Sequence, residues 1–593
     1  MSTTTDTWEP SMAIIGAGCS GIILALKLKA IGFHNFTIFE RDSDVGGTWL
    51  TNTYPGCRCD VPAHWYSLST HLNPNWTETH PPQTEILASV TDWQKLAKDN
   101  GIYEHCQFRT SFINAKWDES TSTYRVRLKK GTRFGPNAPD ASSVNKGQNG
   151  SAKEEIVEEN FNILVSCIGG FSFPLVPKMK GLPNPYKDDK PILEKPDELL
   201  QKYSHDAAAR GEITEGDEGD KFKGLVLHPS RWPRQGVDLH EKKVIVFGNG
   251  CSGVQVVPEI AKDPTTKVYA VVRSAQWLLP SDIRPISKFA QSVFRKSNLL
   301  LRLYRFFVYL QLECAWLLFP YNHQWIRNIA EKRVAAHIRK NAPEDCAEMM
   351  VPKFPMGAKR IVRDVDYLDA LKKPNVETIS SPVERFTEHA FVTADGKSHE
   401  IDVVVLATGY DVTASTLDVT GRDEMRASTA ILGEDSPRGY RGLALPKFPN
   451  HWLCLSLNTA PGHGSVLTNI EVQAAYITQC VNAMRKFNVK VLEVKEEPTR
   501  EYNAWLDRRL ENTVWAKGSS FYRLGQNRNG RIFTNWPAPI ALYWWQNSSP
   551  KWQDWIGADK IAAKANSRRR RMLIDMALVV TGILYFWYKF VAK

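Results

Sequence analysis

Two glycine-rich segments carry the first chemical signal in the chain. Gly16, Gly18 and Gly21 follow the apolar run 12–15 and precede a helical pattern. Glycines at this spacing permit a tight turn, close approach of the backbone to a pyrophosphate, and packing of the helix on the strand. A second apolar run ends in Glu40, where an acid can bind ribose hydroxyls. This segment predicts a dinucleotide site.

The same pattern recurs near the middle of the chain, after the apolar run 244–247. The following strand pattern, 268–272, ends in Arg273 and Ser274 instead of an acid. Arginine and a hydroxyl bind a 2′-phosphate that a carboxylate would repel. The second site is therefore predicted to prefer NADPH over NADH. Its loop contains Gly248, Gly250, Ser252 and Gly253.

One acidic and one basic nucleotide site in a single chain predict a flavoprotein that binds FAD and is reduced by NADPH. Apolar runs alternate with helical patterns, which indicates an α/β fold with two dinucleotide-binding, Rossmann-like domains. We expect the NADPH domain to be inserted in the FAD domain, and the apolar run 403–406 to return the chain to the FAD sheet. The expected FAD domain is 1–235 with 390–560, and the NADPH domain is 236–389 with a helical insertion at about 285–350.

Composition excludes several classes of protein. The 593 residues have a net charge of +11, 23% charged residues and a mean hydropathy of −0.35, which excludes a disordered chain, a collagen and a polytopic membrane protein. Ten scattered cysteines form no disulfide framework, so we expect reduced thiols. Cys57 and Cys59 have no second pair to complete a zinc site, and no metal is predicted.

The C-terminal segment differs from the rest of the chain. Arg568 to Arg571 precede an apolar run, and we predict a transmembrane tail helix at 572–590 with the catalytic body on the cytosolic side, at the endoplasmic reticulum membrane. An amphipathic helix lying on the surface is the alternative. Residues 564–593 hold seven basic side chains and one acid, so more than half of the net charge belongs to this tail. Nucleic acid is therefore not expected as a partner.

Three internal segments stand outside the nucleotide patterns. Residues 131–151 and 184–220 are polar or charged and are interpreted as insertions, the second with one short helix. The aromatic-rich stretch 298–325 carries too many charges for a membrane span and is predicted to be a buried or groove-lining helix. The sequence does not indicate an oligomeric state.

Three further motifs lie outside the glycine loops. They are Gly46-Gly47-Thr48-Trp49 with Tyr54-Pro55-Gly56 and Asp60, the set Phe222, Gly224, His228 and Trp232, and Gly357-Ala358-Lys359-Arg360. In these motifs the chain resembles the type I Baeyer–Villiger monooxygenases, class B flavoproteins that include fungal FAD-binding monooxygenases of secondary metabolism. The sequence departs from the family in the intervening segment 184–220 and in Pro229.

The resemblance implies a role for each matched residue. Arg360 would stabilise negatively charged oxygen during the reaction, and Asp60 would orient it. Lys359 would join Arg273 and Ser274 at the 2′-phosphate, and Arg58 is expected in the same NADP set. Phe222, Gly224, His228 and Trp232 would act at the domain linker. The expected FAD contacts are Thr48, Trp49, Asp60 and Tyr66.

The implied reaction inserts one oxygen atom of O₂ next to a ketone carbonyl and gives an ester or lactone. The expected substrate is a bulky apolar secondary metabolite. Two alternatives stay open at this point. The first is a flavin monooxygenase that hydroxylates nitrogen or sulfur, and the second is a membrane-tethered protein that binds nucleotides without catalysis.

Overall fold

Two parallel five-stranded sheets form the centre of the molecule in the computed structural model. The model describes residues 8–88, 93–131, 154–186, 197–203, 221–525, 528–565 and 567. The predicted insertion 131–151 therefore lies almost wholly outside the described residues, and so does the predicted tail helix at 572–590. In the described part of the chain, no helix combines the length and the hydropathy that a bilayer crossing requires.

The first sheet contains the strand that leads into the first glycine loop. Met12–Ile15 is its middle strand, with every residue buried, and Cys19–Ala30 is the helix that follows the loop. Apolar residues dominate because both faces of the sheet are covered: Met12 and Ile14 pack with the helix Cys19–Ala30, and Ala13 and Ile15 pack with the four-stranded sheet described below. The strand order is His451–Leu453, Ile163–Ser166, Met12–Ile15, Phe36–Phe39 and Cys106–Gln107.

The second sheet repeats this arrangement around the second glycine loop. Lys243–Phe247 leads into the loop, and the helix Cys251–Ile260 follows. The order is Val376–Ile379, Lys267–Val271, Lys243–Phe247, Val403–Leu406 and Leu225–Leu227, all parallel.

The expectation that Val403–Leu406 returns the chain to the FAD sheet is wrong. This strand pairs with Lys243–Phe247, and Leu225–Leu227 pairs with its other edge. We call each five-stranded sheet with its helices a body, the first around the first glycine loop and the second around the second loop. The second body therefore begins before residue 236 and continues beyond 389. A strand buried on both faces shows the same continuous apolar run in either sheet, so its composition does not identify its partner.

Smaller sheets and helices surround these two bodies. A four-stranded sheet packs near the first body, and a three-stranded antiparallel sheet follows the strand Val376–Ile379. The long helix Val466–Phe487 packs on Cys19–Ala30. Within the predicted insertion 184–220, the described residues include one short helix, Glu198–Tyr203. The small sheets comprise Val419–Thr420, Thr110–Asp118, Thr123–Lys130 and Glu155–Phe161, and then Val383–Phe386, Ala390–Thr393 and Ser398–Glu400.

A helical region follows the second body's central strands. It contains Lys288–Lys296, Asn298–Cys314 and Gln324–Asn341. The prediction of a buried or groove-lining helix at 298–325 is wrong for most of its length, because Leu299, Phe306 and several neighbours are exposed. Only one side of Asn298–Cys314 packs on the protein, with Leu301 and Val308 buried.

Candidate active site

Both glycine loops open into one cavity of about 1660 Å³. The ends of both sheets, the segment 47–66 and the segment 359–360 contribute to its wall. Ligands of α/β sheets bind at the carboxyl ends of parallel strands, where these loops lie. The predicted residues on this wall are Gly16, Gly18, Glu40, Thr48, Trp49, Arg58, Asp60, Tyr66, Gly248, Gly250, Ser252, Arg273, Ser274, Lys359 and Arg360.

Backbone conformation and close packing favour glycine at several positions around the first loop. Gly16 has a φ of +106°, and a Cβ on Gly21 would lie 2.1 Å from the carbonyl oxygen of Gly16. A Cβ on Gly47 would lie 2.9 Å from the Cα of Gly18. Gly21 therefore serves packing of the helix on the turn, whereas Gly18 and Gly47 form a side-chain-free cradle. Such a cradle fits the backbone approach that a pyrophosphate requires.

Glu40 is held by the backbone of the loop that it supports. Its two oxygens accept hydrogen bonds from the amides of Ala17, at 2.7 Å, and Asp42, at 2.9 Å. Burial raises the pKa of Glu40, while these two hydrogen bonds act in the opposite direction. The carboxylate thus fixes the turn as well as facing the cavity.

Asp42 is a site residue that the sequence interpretation missed. It is buried, lines the cavity, and its Oδ2 has no hydrogen-bond partner among the described residues. A buried acceptor without a donor is available to a ligand hydroxyl. An acid three residues after a strand end was a weak signal, because the expected acid at Glu40 already satisfied the pattern.

The second loop has the same geometry as the first. Gly248 has a φ of +102°, and a Cβ on Gly253 would lie 1.8 Å from the oxygen of Gly248. Gly253, like Gly21, therefore packs the helix against the turn and lies behind the cavity wall. The side chain of Asn249 donates to the carbonyl oxygen of Ser274 at 2.9 Å, which joins the loop to the end of the next strand.

Three cationic side chains, those of Arg273, Lys359 and Arg528, lie near the end of the strand Lys267–Val271. Burial lowers the pKa of Lys359, and the positive charges of Arg273 and Arg528 lower it further. Burial and Arg273 likewise lower the pKa of Arg528. Cations that destabilise one another in this way are complementary to an anion such as a 2′-phosphate. Arg528 was missed because it lies in an Asn- and Gly-containing part of the sequence, far from any motif.

Asp60 and Arg360 form an ion pair within the cavity wall. The Nε of Arg360 lies 3.0 Å from Oδ2 of Asp60, and its Nη2 makes a second contact with the same oxygen. The Asp60 carboxylate raises the pKa of Arg360 well above its ordinary value. Burial acts to raise the pKa of Asp60, but Arg360 and Arg363 lower it overall. The guanidinium is thus held in one orientation and stays charged.

The segment 49–66, which contains Asp60, forms hydrogen bonds within itself and with the second body. The indole nitrogen of Trp49 donates to the hydroxyl of Tyr66 at 2.8 Å, and Arg58 pairs with Glu78 at 3.0 Å. Gln255, on the helix after the second loop, accepts from the Tyr54 hydroxyl at 2.9 Å and donates to the Arg58 carbonyl oxygen at 3.1 Å. Gln255, which the sequence interpretation missed, therefore fixes Arg58 and its neighbours against the second body.

The fingerprint residues Phe222, Gly224, His228 and Trp232 lie outside the cavity wall. Gly224 directly precedes Leu225–Leu227, the outer strand of the second sheet. A Cβ on Gly224 would lie 2.3 Å from the carbonyl oxygen of Asp402. Phe222 is buried beside Phe386, and the carbonyl oxygen of Trp232 accepts from the Thr53 hydroxyl at 2.9 Å.

His228 joins the two connections between the bodies. Its Nε2 lies 3.0 Å from the Gly409 carbonyl oxygen, and its Nδ1 lies 2.8 Å from the Ser230 hydroxyl. Burial lowers the pKa of His228 to about 3, so the ring is neutral. The four fingerprint residues thus position the two bodies and do not face the reacting groups.

Taken together, the two nucleotide folds and the half-buried Asp60–Arg360 pair between them define a nucleotide-dependent redox protein. The model of the NAD(P)-binding Rossmann-like domain matches residues 14–79. Among solved structures, a complex of OTEMO with FAD and NADP superposes with a TM-score of 0.70 at 22% identity, covering 91% of this chain and 97% of that one. Cyclohexanone monooxygenase from Rhodococcus sp. Phi1 gives 0.69 at 20% identity, covering 91% and 96%.

Curated relatives extend the likeness along most of the sequence. A Baeyer–Villiger monooxygenase of Pseudomonas aeruginosa is 30% identical over 530 residues, covering 89% of this chain and 87% of the relative. The FAD-binding monooxygenase ktnD of Aspergillus niger is 27% identical, covering 93% and 82%. The chain belongs to the Baeyer–Villiger monooxygenase family.

Proposed function

We propose that this protein uses FAD and NADPH to insert one atom of O₂ next to a ketone carbonyl. The product is an ester or lactone, the second oxygen atom leaves as water, and NADPH supplies the two electrons. The observation that carries this proposal is the Asp60–Arg360 pair, which lies in the one cavity that both glycine loops enter. Family membership and the cofactor-bound structural neighbours support it.

The residues of the first loop fit FAD. The cradle of Gly18 and Gly47 leaves room for the pyrophosphate, and Glu40 with Asp42 offers carboxylates at the ribose position. Trp49 and Tyr66, joined by their hydrogen bond, continue along the same wall. Bound FAD supplies the hydride acceptor and the activation of O₂.

The residues of the second loop fit NADPH over NADH. The positive charge of Arg273 lowers the pKa of both Lys359 and Arg528, and a phosphate dianion would offset that repulsion. NADH has no group to place there. This electrostatic difference is independent of the glycine geometry, which both loops share.

Arg360 stabilises negative charge on oxygen, and Asp60 orients the Arg360 guanidinium. A guanidinium already oriented by a carboxylate stabilises negative charge on oxygen without reorganising during the reaction. Because Arg360 cannot lose its proton at neutral pH, it serves by electrostatic stabilisation and not by proton transfer. The side chain of Tyr522, whose pKa is raised to about 12 by burial, lies beside Arg360 and keeps its proton.

We propose a bulky apolar ketone as the substrate class. Apolar side chains line the cavity wall beyond the charged groups, as expected for a site that takes an apolar ligand. This set includes Leu455, Leu457, Pro461, Val466, Phe521 and Phe533.

The colour of the purified protein and its product spectrum test the assignment. The protein should be yellow, lose its colour with NADPH under nitrogen and regain it in air. Bulky ketones should then yield esters, whereas amines and sulfides should not be oxidised. Oxidation of amines or sulfides without any ester would replace this function with the nitrogen- or sulfur-oxygenating one, and a colourless protein would exclude both enzymes.

We further propose that the C-terminal segment anchors the enzyme to the endoplasmic reticulum membrane, with the catalytic body in the cytosol. Support comes from the sequence, in which Arg568 to Arg571 precede the apolar run 572–588. Carbonate extraction of the membrane fraction tests it. A spanning tail keeps the protein in the pellet, whereas release into the supernatant contradicts spanning.

A further inference from the structure

The helix Asn298–Cys314 is apolar on two opposite sides. Its inner side is packed: Leu301 and Val308 are buried, the Arg305 guanidinium lies 4.4 Å above the Trp65 ring, and the Tyr309 ring lies 4.9 Å from the same ring. The outer side is exposed to solvent, with Leu299 67% and Phe307 55% exposed. It comprises Leu299, Leu303, Phe306, Phe307 and Leu310, which follow the spacing of one helical face.

Neighbouring elements extend this exposed apolar face. Phe289 on the preceding helix is 79% exposed, and Trp325 begins the following helix with 67% exposure. The carboxylate of Glu313 accepts hydrogen bonds from the amides of Ile540 and Ala541, which places the helix Ile540–Asn547 at the end of the face. That helix carries exposed Trp544 and Trp545. We call the whole set the outer face.

The charge of the segment that carries the outer face is predominantly positive. Residues 288–340 contain ten basic side chains and only two acidic ones, Glu313 and Glu331. Glu313 is engaged by the Ile540–Asn547 helix and by His463. The exposed basic residues are Lys288, Arg295, Lys296, Arg302, Lys332, Arg333, Arg339 and Lys340.

We propose that the outer face docks the catalytic body on an anionic lipid bilayer, with its apolar side chains in the interface and its basic side chains at the headgroups. Helices with aromatic and aliphatic residues on one face and lysine or arginine beside them lie in the plane of a membrane surface. Tryptophan favours the boundary between headgroups and acyl chains. Trp325, Trp544 and Trp545 would occupy that boundary. This docking is separate from anchoring by the tail and does not depend on it.

Charge argues against two other occupants of the outer face. A second copy would bring two faces of the same positive charge together. The tail of the same chain would bring Arg568 to Arg571 close to the basic side chains of 288–340. An anionic bilayer is complementary to both the charge and the apolar side chains.

The outer face also adjoins the wall of the active-site cavity. The carboxylate of Glu313 lies 3.3 Å from Nε2 of His463. In the sequence, His463 stands between Pro461 and Gly464, two residues that line the cavity. Phe319 packs on His463 and Trp515 behind the same wall. Docking would therefore place an apolar substrate dissolved in the bilayer within one layer of side chains of the cavity.

A fluorescent probe at Cys314 tests the docking in the full-length holoenzyme. Cys314 is the exposed cysteine among the described residues and lies on the helix that carries the outer face, so an environment-sensitive thiol reagent labels it without mutation. The labelled enzyme is added to vesicles of phosphatidylcholine with phosphatidylserine whose acyl chains are brominated. Docking predicts quenching of the probe, abolished by Cys314→Ser and strongly reduced with phosphatidylcholine alone.

Leu303→Gln combined with Phe307→Gln should lose most of the quenching, because both side chains would leave the apolar interface. Ile156→Gln, which changes an equally exposed apolar residue on another surface, should keep it. Both variants alter exposed positions, and unchanged FAD content verifies their folding.

Three results would overturn the proposal. Vesicle-bound enzyme with an unquenched probe would mean that the tail alone binds the membrane. A Cys314 that resists labelling before vesicles are added would mean that the tail or a second copy covers the outer face, and light scattering separates these two. Equal quenching in Leu303→Gln/Phe307→Gln would mean that the outer face does not insert.

Discussion

The two glycine loops share a backbone and differ in charge. Gly16 and Gly248 have nearly the same φ, at +106° and +102°, and in both loops the third glycine packs directly on the first. The next strand is followed by Glu40 in one body and by Arg273 in the other. The glycines thus provide a site for a pyrophosphate, whereas the charge at the neighbouring strand end selects the nucleotide.

The difference extends beyond the strand ends. Glu40 and Asp42 come from one short segment, but Arg273 is joined by Lys359 and Arg528 from distant parts of the chain. The acidic site is therefore encoded locally, and the basic site is assembled by the fold.

The largest expected effect lies where the two bodies meet. Arg360→Ala should lower ester formation by about 10²–10³-fold, because a preorganised charge next to the reacting oxygen is lost. NADPH oxidation should continue and produce hydrogen peroxide. Ester and peroxide yields per NADPH measure the change, and Asp60→Asn should show a smaller shift in the same direction. Ester yield equal to that of the unchanged enzyme would contradict the role of Arg360.

The next effect concerns the basic cluster. Arg528→Ala should raise the KM for NADPH by roughly 10–100-fold, as expected for the loss of a charge-assisted hydrogen bond, and leave the KM for NADH nearly unchanged. Arg385→Ala, which removes an exposed arginine of the same body, serves as the control. Equal changes for both nucleotides would show that Arg528 does not read the 2′-phosphate.

A smaller effect is expected at the acidic site. Asp42→Asn should weaken FAD retention by about tenfold, since a neutral amide is a poorer acceptor for a ribose hydroxyl. Glu40→Gln should also lower thermal stability, because it disturbs acceptors for the amides of Ala17 and Asp42. Equilibrium dialysis of FAD and thermal unfolding separate the two roles. A loss of stability without weaker FAD binding in Asp42→Asn would assign that carboxylate to the fold.

The smallest expected effect concerns His228, which contacts both connections between the two bodies. His228 is neutral in the folded protein, with a pKa of about 3, whereas an unfolded histidine takes up a proton near 6.5. The unfolded state therefore binds more protons between these values, so stability is full above pH 6.5 and falls as the pH decreases towards 3, with a slope of about 1.4 kcal/mol per pH unit for this group. Tm measured from pH 7 to 5 in excess FAD should fall less steeply in His228→Asn than in the unchanged protein. His71→Asn, at an exposed histidine, should keep the original slope.

Sequence reasoning succeeded where the signal was local. The glycine loops, Glu40, Arg273 and the Lys359-Arg360 pair lie within short motifs, and the structure places all of them at one cavity. The sheet that contains Val403–Leu406 was not predictable in the same way, because a buried parallel strand has the same composition in either body.

The errors and omissions have a common physical origin in long-range contacts. Arg528 has no motif of its own and joins the cluster only through the folding of the chain. Apolar residues on both sides of Asn298–Cys314 predicted burial, although only the Leu301 and Val308 side found a partner. That unexpected exposure is the basis of the proposed membrane contact.

Oxygen-isotope labelling tests the central claim most directly. The full-length enzyme is incubated with NADPH, a bulky apolar ketone and ¹⁸O₂, and the product is analysed by mass spectrometry. The account predicts an ester or lactone that carries one ¹⁸O in its ring or bridging position, with one NADPH consumed for each product molecule. Consumption of NADPH with hydrogen peroxide as the sole labelled product, across a panel of ketones, would contradict it.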